Sequence, residues 1–255
     1  MEINKLRTKI IGKKILFMGE IGSSNDEARR LAQLGYGEGT VVIASSQLKG
    51  KGRLGRRWIS PPGGLYLSII LKPYSSPSKL PLITIFSLLS AVRTLRGLTK
   101  LDVGVKWPND IVIADKKLGG ILCEAAKNTV VVGIGINLNV NISLFPKALK
   151  KQVTSIKFEL GLNVNRDKVL RIFLEEFDKL YRDFLGKKHD DIIKEWSGLC
   201  QTLGSRVKIE TTRGEVHGIA ESIGEKGELR VRCSDGKIKK VFSGDVVKVN
   251  TMENI

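Results

Sequence analysis

Several kinds of residue are scarce in this chain, and each shortage excludes a class of protein. Its three cysteines, Cys123, Cys200 and Cys233, lie far apart in 255 residues with no Cys-x-x-Cys pair. They build neither a disulfide framework nor a zinc site, and they imply a reducing compartment, the cytoplasm. The two histidines, His189 and His217, have no cysteine or acidic partner at ligand spacing, so no protein-built metal cage is expected. No apolar run reaches the ~20 residues of a membrane span. The start, Met1-Glu2-Ile3-Asn4-Lys5-Leu6-Arg7, lacks the apolar core and cleavage site of a signal peptide. Internal repeats and low-complexity tracts are absent. Acids are short as well, 26 against 43 Lys and Arg, for a formal charge of +17. Such an excess attracts nucleic acid, nucleotide, anionic lipid or an acidic protein. Outside one loop, however, the cations are scattered pairs such as Lys13-Lys14, Lys150-Lys151 and Lys239-Lys240. No nucleic-acid-binding motif accompanies them. Neither a specific nucleic acid nor a membrane is an expected partner.

The exceptional loop runs from Ser45 to Trp58 and holds three glycines and five cations with no acid. Glycine lets backbone approach a ligand, and successive N–H groups with Lys and Arg suit phosphate or carboxylate oxygens. The spacing Gly50-x-Gly52-x-x-Gly55 is not a dinucleotide fingerprint, because the next apolar run, Leu65–Leu71, reads as a strand. From Leu48 to Arg57, with one apolar side chain beyond Leu48 and five like charges, the loop is expected to be poorly ordered while empty.

Around it the pattern predicts an α+β fold. Strands are expected at Lys14–Glu20, Gly39–Gln47, Leu65–Leu71, Val103–Trp107, Ile111–Ala114, Leu118–Ala126 and Val130–Val140. A helix begins at Asp26, capped by Ser24 or Asn25; a long one spans Pro77–Leu98, and a helical section runs from Arg166 to about Leu199 with a break at Gly186-Lys187-Lys188. So many sequential strands with covering helices imply a mixed or antiparallel sheet. Beyond Gly204 five short alternating strands punctuated by Gly-containing turns predict a small β barrel. The expected domains are residues 1–203 and 204–255.

Four stretches together resemble the biotin protein ligases: Gly50–Trp58; Lys106-Trp107-Pro108-Asn109-Asp110; Lys117-Leu118-Gly119-Gly120-Ile121-Leu122 with Glu124; and Gly133-Ile134-Gly135-Ile136-Asn137-Leu138-Asn139. The resemblance implies a class II synthetase-like catalytic domain with a C-terminal SH3-like barrel. It also implies ATP-dependent activation of biotin as biotinyl-5′-AMP, with Mg²⁺, and transfer to a lysine of the biotin carboxyl-carrier domain of a carboxylase. Family members carry Ser-Thr-Asn to hydrogen-bond biotin; here Ser23, Ser24 and Asn25 match, with a serine for the threonine. Gln47, Lys51, Gly52, Arg53 and Lys117 complete the implied biotin site. Lys117, Arg53 and Lys51 are the implied catalytic cations, Lys117 bridging the carboxylate and the α-phosphate while Lys116 stays in solvent. Arg56, Trp58, Asn109, Asp110 and Asn137 are implied nucleotide contacts, Trp58 stacking on adenine and Asp110 serving metal or the incoming amine. Lysine replaces the family's usual arginine at Lys51 and loses its bidentate fork.

Three rival readings meet particular obstacles. A lipoate–protein ligase would carry an Arg-Arg-x-x-Gly-Gly-Gly signature, which is missing. A nucleic-acid-binding regulator with an N-terminal winged helix needs on the order of 60 residues ahead of the first strand; far fewer precede Lys14, so the resemblance is to the short form. A non-catalytic barrel module accounts for residues 204–255 alone. A homodimer paired through the sheet, as in many relatives, is compatible with the pattern.

Overall fold

Alternation along the strands decides how the central sheet is covered. The structure, a computed structural model, describes residues 6–73, 80–126, 128–212 and 214–248. The expected helix start at Pro77, the turn residue Arg213 and the strand end at Val249 lie outside them. The N-terminal part contains β1 (Lys14–Ile21), α1 (Ser24–Gln33), β2 (Thr40–Gln47), β3 (Leu65–Leu71), α2 (Leu80–Thr99), β4 (Gly104–Lys106), β5 (Asp110–Ile113), β6 (Lys116–Ala126) and β7 (Thr129–Ile136). Their seven strands form one sheet in the order β1-β2-β3-β7-β6-β5-β4. β1 and β2 are parallel, joined through α1, and every other pair is antiparallel. The expected mixed sheet with covering helices is the observed one. β7 stops at Ile136 rather than Val140, because the chain turns there and Asn139 N–H reaches back to the Gly63 carbonyl.

One face is solid. Leu65, Leu67, Ile69 and Leu71 of β3 and Val130, Val132, Ile134 and Ile136 of β7 point into the main core. α2 lies against that face, with α5 (Arg166–Leu185) and α6 (His189–Gly198) packed on it. Phe86 of α2 meets Phe177 edge-on at 5.2 Å and Phe184 at 5.4 Å. α2 has 20 residues and is apolar enough by length and composition to cross a bilayer. Its sides are instead taken up by the sheet and helices, as suits a core helix. Behind it the buried Asp178 carboxylate receives the N–H groups of Lys9, Ile10 and Ile11 and the Arg182 guanidinium. Burial works against that charge, but the three N–H groups and Arg182 outweigh it, so the carboxyl stays below its ordinary pKa.

The other face is only partly covered. Ala28 and Leu31 of α1 sit on Val42, Ile70 and Val131. Beyond α1, neighbouring strands line up Val42, Ser68, Gly133 and Leu122 in one row, and Ala44, Tyr66, Gly135, Gly120 and Asp110 in the next. Small side chains in those rows leave a hollow.

Between β7 and α5 the chain makes an excursion with two short helices that the pattern did not predict, α3 (Lys147–Lys150) and α4 (Ile156–Leu160). Past the turn at residues 200–205 come β8 (Arg206–Thr211), β9 (Gly214–Ile223), β10 (Leu229–Arg232), β11 (Ile238–Val241) and β12 (Asp245–Lys248). They form a five-stranded antiparallel sheet in the order β11-β10-β9-β8-β12. Among the described residues no ladder closes β11 onto β12, so the expected barrel is open there. Its core, including Val207, Ile209, Leu229 and Val231, is continuous with the main cluster. The Gly227 turn lies against Pro81 and Ile85, and its carbonyl accepts from Trp107 Nε1.

Candidate active site

The hollow is a cavity of about 790 Å³. Its floor explains two glycines of the fourth motif. A Cβ on Gly133 would lie 2.1 Å from Asn25 Oδ1, and one on Gly135 would lie 2.5 Å from Trp58 Nε1. Only glycine lets those two side chains lie on the sheet.

Ser23, not Ser24 or Asn25, caps α1; its Oγ accepts from Asp26 N–H. That shift by one residue releases the next two for the cavity, where all three are nearly buried. Ser24 Oγ and Asn25 Oδ1 lie 2.8 and 2.6 Å from Ser68 Oγ, and Asn25 Nδ2 donates to Glu124 at 2.8 Å. Gln47 Oε1 accepts from Ser24 N–H and its Nε2 donates to Ser60. Both ends of the Gln47 amide are therefore used, one bracing α1 and the other held by Ser60, although it still lines the cavity.

The basic loop follows a defined path in the structure. Lys51 and Arg57 pair as a bridge, Gly52 N–H bonds to the Arg56 carbonyl, and Trp58 N–H bonds to that of Gly50. At the tip, Leu54 holds a left-handed conformation with φ 54°. The loop's repulsion is neutralised by acids from elsewhere in the chain. Lys51 Nζ is 2.5 Å from Asp26 Oδ1, and Arg56 pairs with Asp245 of β12. Arg53 Nη1 donates to Asn109 Oδ1 at 3.2 Å and to the Gly244 carbonyl at 3.4 Å. Burial lowers the Arg53 pKa against the opposing pull of Asp245 and Asp110, yet a guanidinium stays charged at any working pH.

Lys117 reaches the cavity because β6 is irregular. The register against β5 shifts between Ile111 and Val112, which pair with Gly119 and Lys117. Lys117 is three residues before Gly120, so a regular strand would point them to opposite faces. The bulge brings both to the hollow. There Lys117 Nζ lies 2.7 Å from Asp110 Oδ1 and 5.5 Å from the centroid of the Trp58 ring. Asn109 is fixed by its Nδ2 donating to the Ile121 carbonyl at 2.8 Å.

Of the residues singled out in the sequence, the cavity gathers Ser23, Ser24, Asn25, Gln47, Lys51, Gly52, Arg53, Arg56, Trp58, Asn109, Asp110 and Lys117. Lys116, expected in solvent, also lines it, with Nζ 5.6 Å from the Phe158 ring. Asn137 is the exception. It is fully buried and absent from the lining, with Nδ2 donating to the Thr154 carbonyl at 3.0 Å. Thr154 N–H in turn bonds to the Lys117 carbonyl. In this structure Asn137 braces the strand behind Lys117 instead of facing a nucleotide.

Several residues of the site were missed. Ser68, which bonds to Ser24 and Asn25 without itself lining the cavity, was legible as the one serine of an otherwise apolar strand. Gly244, Asp245 and Val246 had no local signal, since only the folded chain brings the C-terminal sheet to the loop. For a metal, no group of three or more His, Cys, Asp or Glu exists among the described residues. Asp110 is a cavity carboxylate held beside Lys117, which suits a magnesium ion arriving with phosphates and keeping most of its waters. The cysteines are unpaired. Burial pushes the Cys123 thiol up to about 12, against its bond with Thr84, so it is inert at neutral pH.

Comparison with known proteins agrees with this arrangement. Residues 21–141 match the Biotin/lipoate A/B protein ligase family, and residues 202–249 match the Biotin protein ligase C terminal domain. The chain is 33% identical over 247 residues to the Bifunctional ligase/repressor BirA of Bacillus spizizenii, covering 94% of this chain and 76% of that protein. It is 29% identical to the Biotin--[acetyl-CoA-carboxylase] ligase of Mycobacterium tuberculosis, covering 97% and 95% of the two chains. The solved biotin protein ligase of Aquifex aeolicus in complex with biotin and ATP superposes with a TM-score of 0.84 at 30% identity, covering 93% of this chain and all of that one.

Proposed function

The chain belongs to the biotin protein ligase family, and on that premise we propose how its own residues divide the work of the reaction. It is an ATP-dependent ligase that activates biotin as biotinyl-5′-AMP, releasing pyrophosphate, and transfers the biotinyl group to a lysine of a biotin carrier domain.

In our assignment Ser23, Ser24 and Asn25 hold the polar edge of the biotin rings. Hydrogen bonds to Ser68 and Glu124 and the Gln47 brace fix Ser24 and Asn25 before ligand arrives, which lowers the ordering cost of binding. The first half-reaction brings a carboxylate onto the α-phosphate of a polyanion. Positioning and charge stabilisation are therefore the main requirements. Lys117 supplies the bridging cation, exchanging Asp110 for substrate oxygens. Arg53, Lys51 and Arg56 supply further charge, and Gly52 lets backbone approach the carboxylate. Trp58 offers its indole face to adenine, and Asn109 a polar edge. Asp110 then faces the incoming lysine amine. Magnesium, held by the phosphates with Asp110, would screen their charge when bound. Asn137 acts at a distance, through Thr154, on the position of Lys117. A reducing cytoplasm is the compartment we assign.

The single observation that carries this assignment is the convergence of Lys117, Asp110, Trp58 and the start of α1 on one hollow. Incubation with biotin, ATP, Mg²⁺ and a carrier domain, followed by intact mass, tests it. One biotinyl addition dependent on ATP is expected. Equal lipoylation, or no biotin added, would overturn it.

A further inference from the structure

The hollow has a mouth, and the excursion between β7 and α5 forms one side of it. Leu149, Gln152 and Val153 line the cavity. Lys117 N–H bonds to the Gln152 carbonyl at 2.8 Å, and Val153 pairs with Lys117 in a parallel bridge. The arm is thus fastened to the strand that carries the bridging lysine.

Its outer surface is not what an inert loop presents. Leu144 is 59% exposed and Phe158 is 61% exposed, on either side of α3. Between and beside them stand Lys147, Lys150 and Lys157, all exposed. The acid within residues 142–162 is Glu159, whose carboxylate is taken by Thr154. Apolar side chains and unscreened cations alternating at the edge of a catalytic mouth suit a protein partner that carries acids around a small apolar contact. A second copy of this chain, itself at +17, would meet like charge.

We propose that this arm, through Lys147, Lys150, Lys157, Leu144 and Phe158, is the docking surface for the acceptor protein, and that it recognises an acidic face beside the target lysine. The proposal rests on the ligase assignment above. It predicts that transfer can be impaired while adenylate formation is untouched. Rim charges act mainly on encounter, so the loss falls on the carrier and diminishes with salt.

The test measures the two half-reactions separately, with an acidic carrier domain as acceptor. Lys147→Glu with Lys150→Glu, and Phe158→Ser alone, are compared with Lys239→Glu plus Lys240→Glu on the exposed edge strand β11. Expected for the two arm variants is a KM for carrier raised about tenfold, with biotin-dependent pyrophosphate release unchanged. The β11 variant should transfer normally. Wild-type transfer should fall with added NaCl, and that of the charge-reversed arm should not. Unchanged KM in the arm variants overturns the proposal, as does an equal loss in the β11 variant. So would a loss that appears in nucleic-acid binding or self-association instead of transfer. Absence of pyrophosphate release from the wild-type protein would reject the ligase assignment itself, a separate outcome.

Discussion

The two faces of the central sheet are made by the same strands and have opposite characters. On the face under α2, β3 and β7 present leucine, isoleucine and valine at every second position, and α2 packs over them with α5 and α6 behind it. On the other face the same two strands present Ser68, Gly133 and Gly135 at the hollow, with Tyr66, Ile70 and Val131 as the larger residues beside them. The hollow is therefore a direct product of period-two alternation between large and small side chains. Fold stability and ligand binding are encoded at alternate positions of one strand, so mutation should be able to damage them separately.

The largest expected effect is on the solid face. Phe177→Ala removes a ring packed against Phe86 and Phe173, and should cost about 3–5 kcal/mol of stability in chemical denaturation. Its KM for biotin, measured well below the melting temperature, should be unaltered; a large rise would mean the faces are coupled. Next comes Lys117→Ala on the hollow face. Adenylate formation should slow by ~10²-fold or more, the scale for removing one aimed donor, with the melting temperature unchanged. Lys116→Ala should change the rate little, and equal losses at the two positions would contradict the roles given to them.

Filling the hollow sharpens the contrast. Gly135→Ala forces its Cβ against the Trp58 indole, 2.5 Å from Nε1. The displaced ring should weaken ATP binding by about tenfold, from overpacking of 1–3 kcal/mol, as read by calorimetry. Retention of full affinity would show that Trp58 does not serve the nucleotide. The smallest effect is expected at the rim. Asp245→Ala frees Arg56 from the C-terminal sheet, and an exposed ion pair of this kind is worth about 1 kcal/mol at most. A change of about threefold or less in the rate of pyrophosphate release is expected; a hundredfold loss would make the C-terminal sheet a full part of the active site.

Much of this was readable in advance, for definable reasons. Strands and long helices follow from local periodicity, and the four motifs contain about half of the residues that line the hollow. The rest was hidden where distant segments decide the outcome. The acids that pair with the basic loop, Asp26 and Asp245, belong to other elements and could not be assigned to it from local sequence. Asn137 is held in this structure by the Thr154 carbonyl, seventeen residues on, a partner that local sequence does not reveal. α3 and α4, of four and five residues, are too short to show a helical period. The cap at Ser23 was missed by a single residue, within the usual uncertainty of helix ends.

The prior pairing of the cavity's cations has a further consequence. Lys51, Arg56 and Lys117 each hold a carboxylate of the protein itself. When a polyanion enters, each cation exchanges one oxyanion for another, so the site works as an ion exchanger with built-in counterions. Few small ions are released to the solvent, and mass action from added salt has correspondingly little to act on. The slope of log affinity for ATP against log salt should therefore be shallower than the number of cations in the hollow suggests. The gain on binding is the difference between two well-made ion pairs, which favours the ligand whose several charges replace several carboxylates at once.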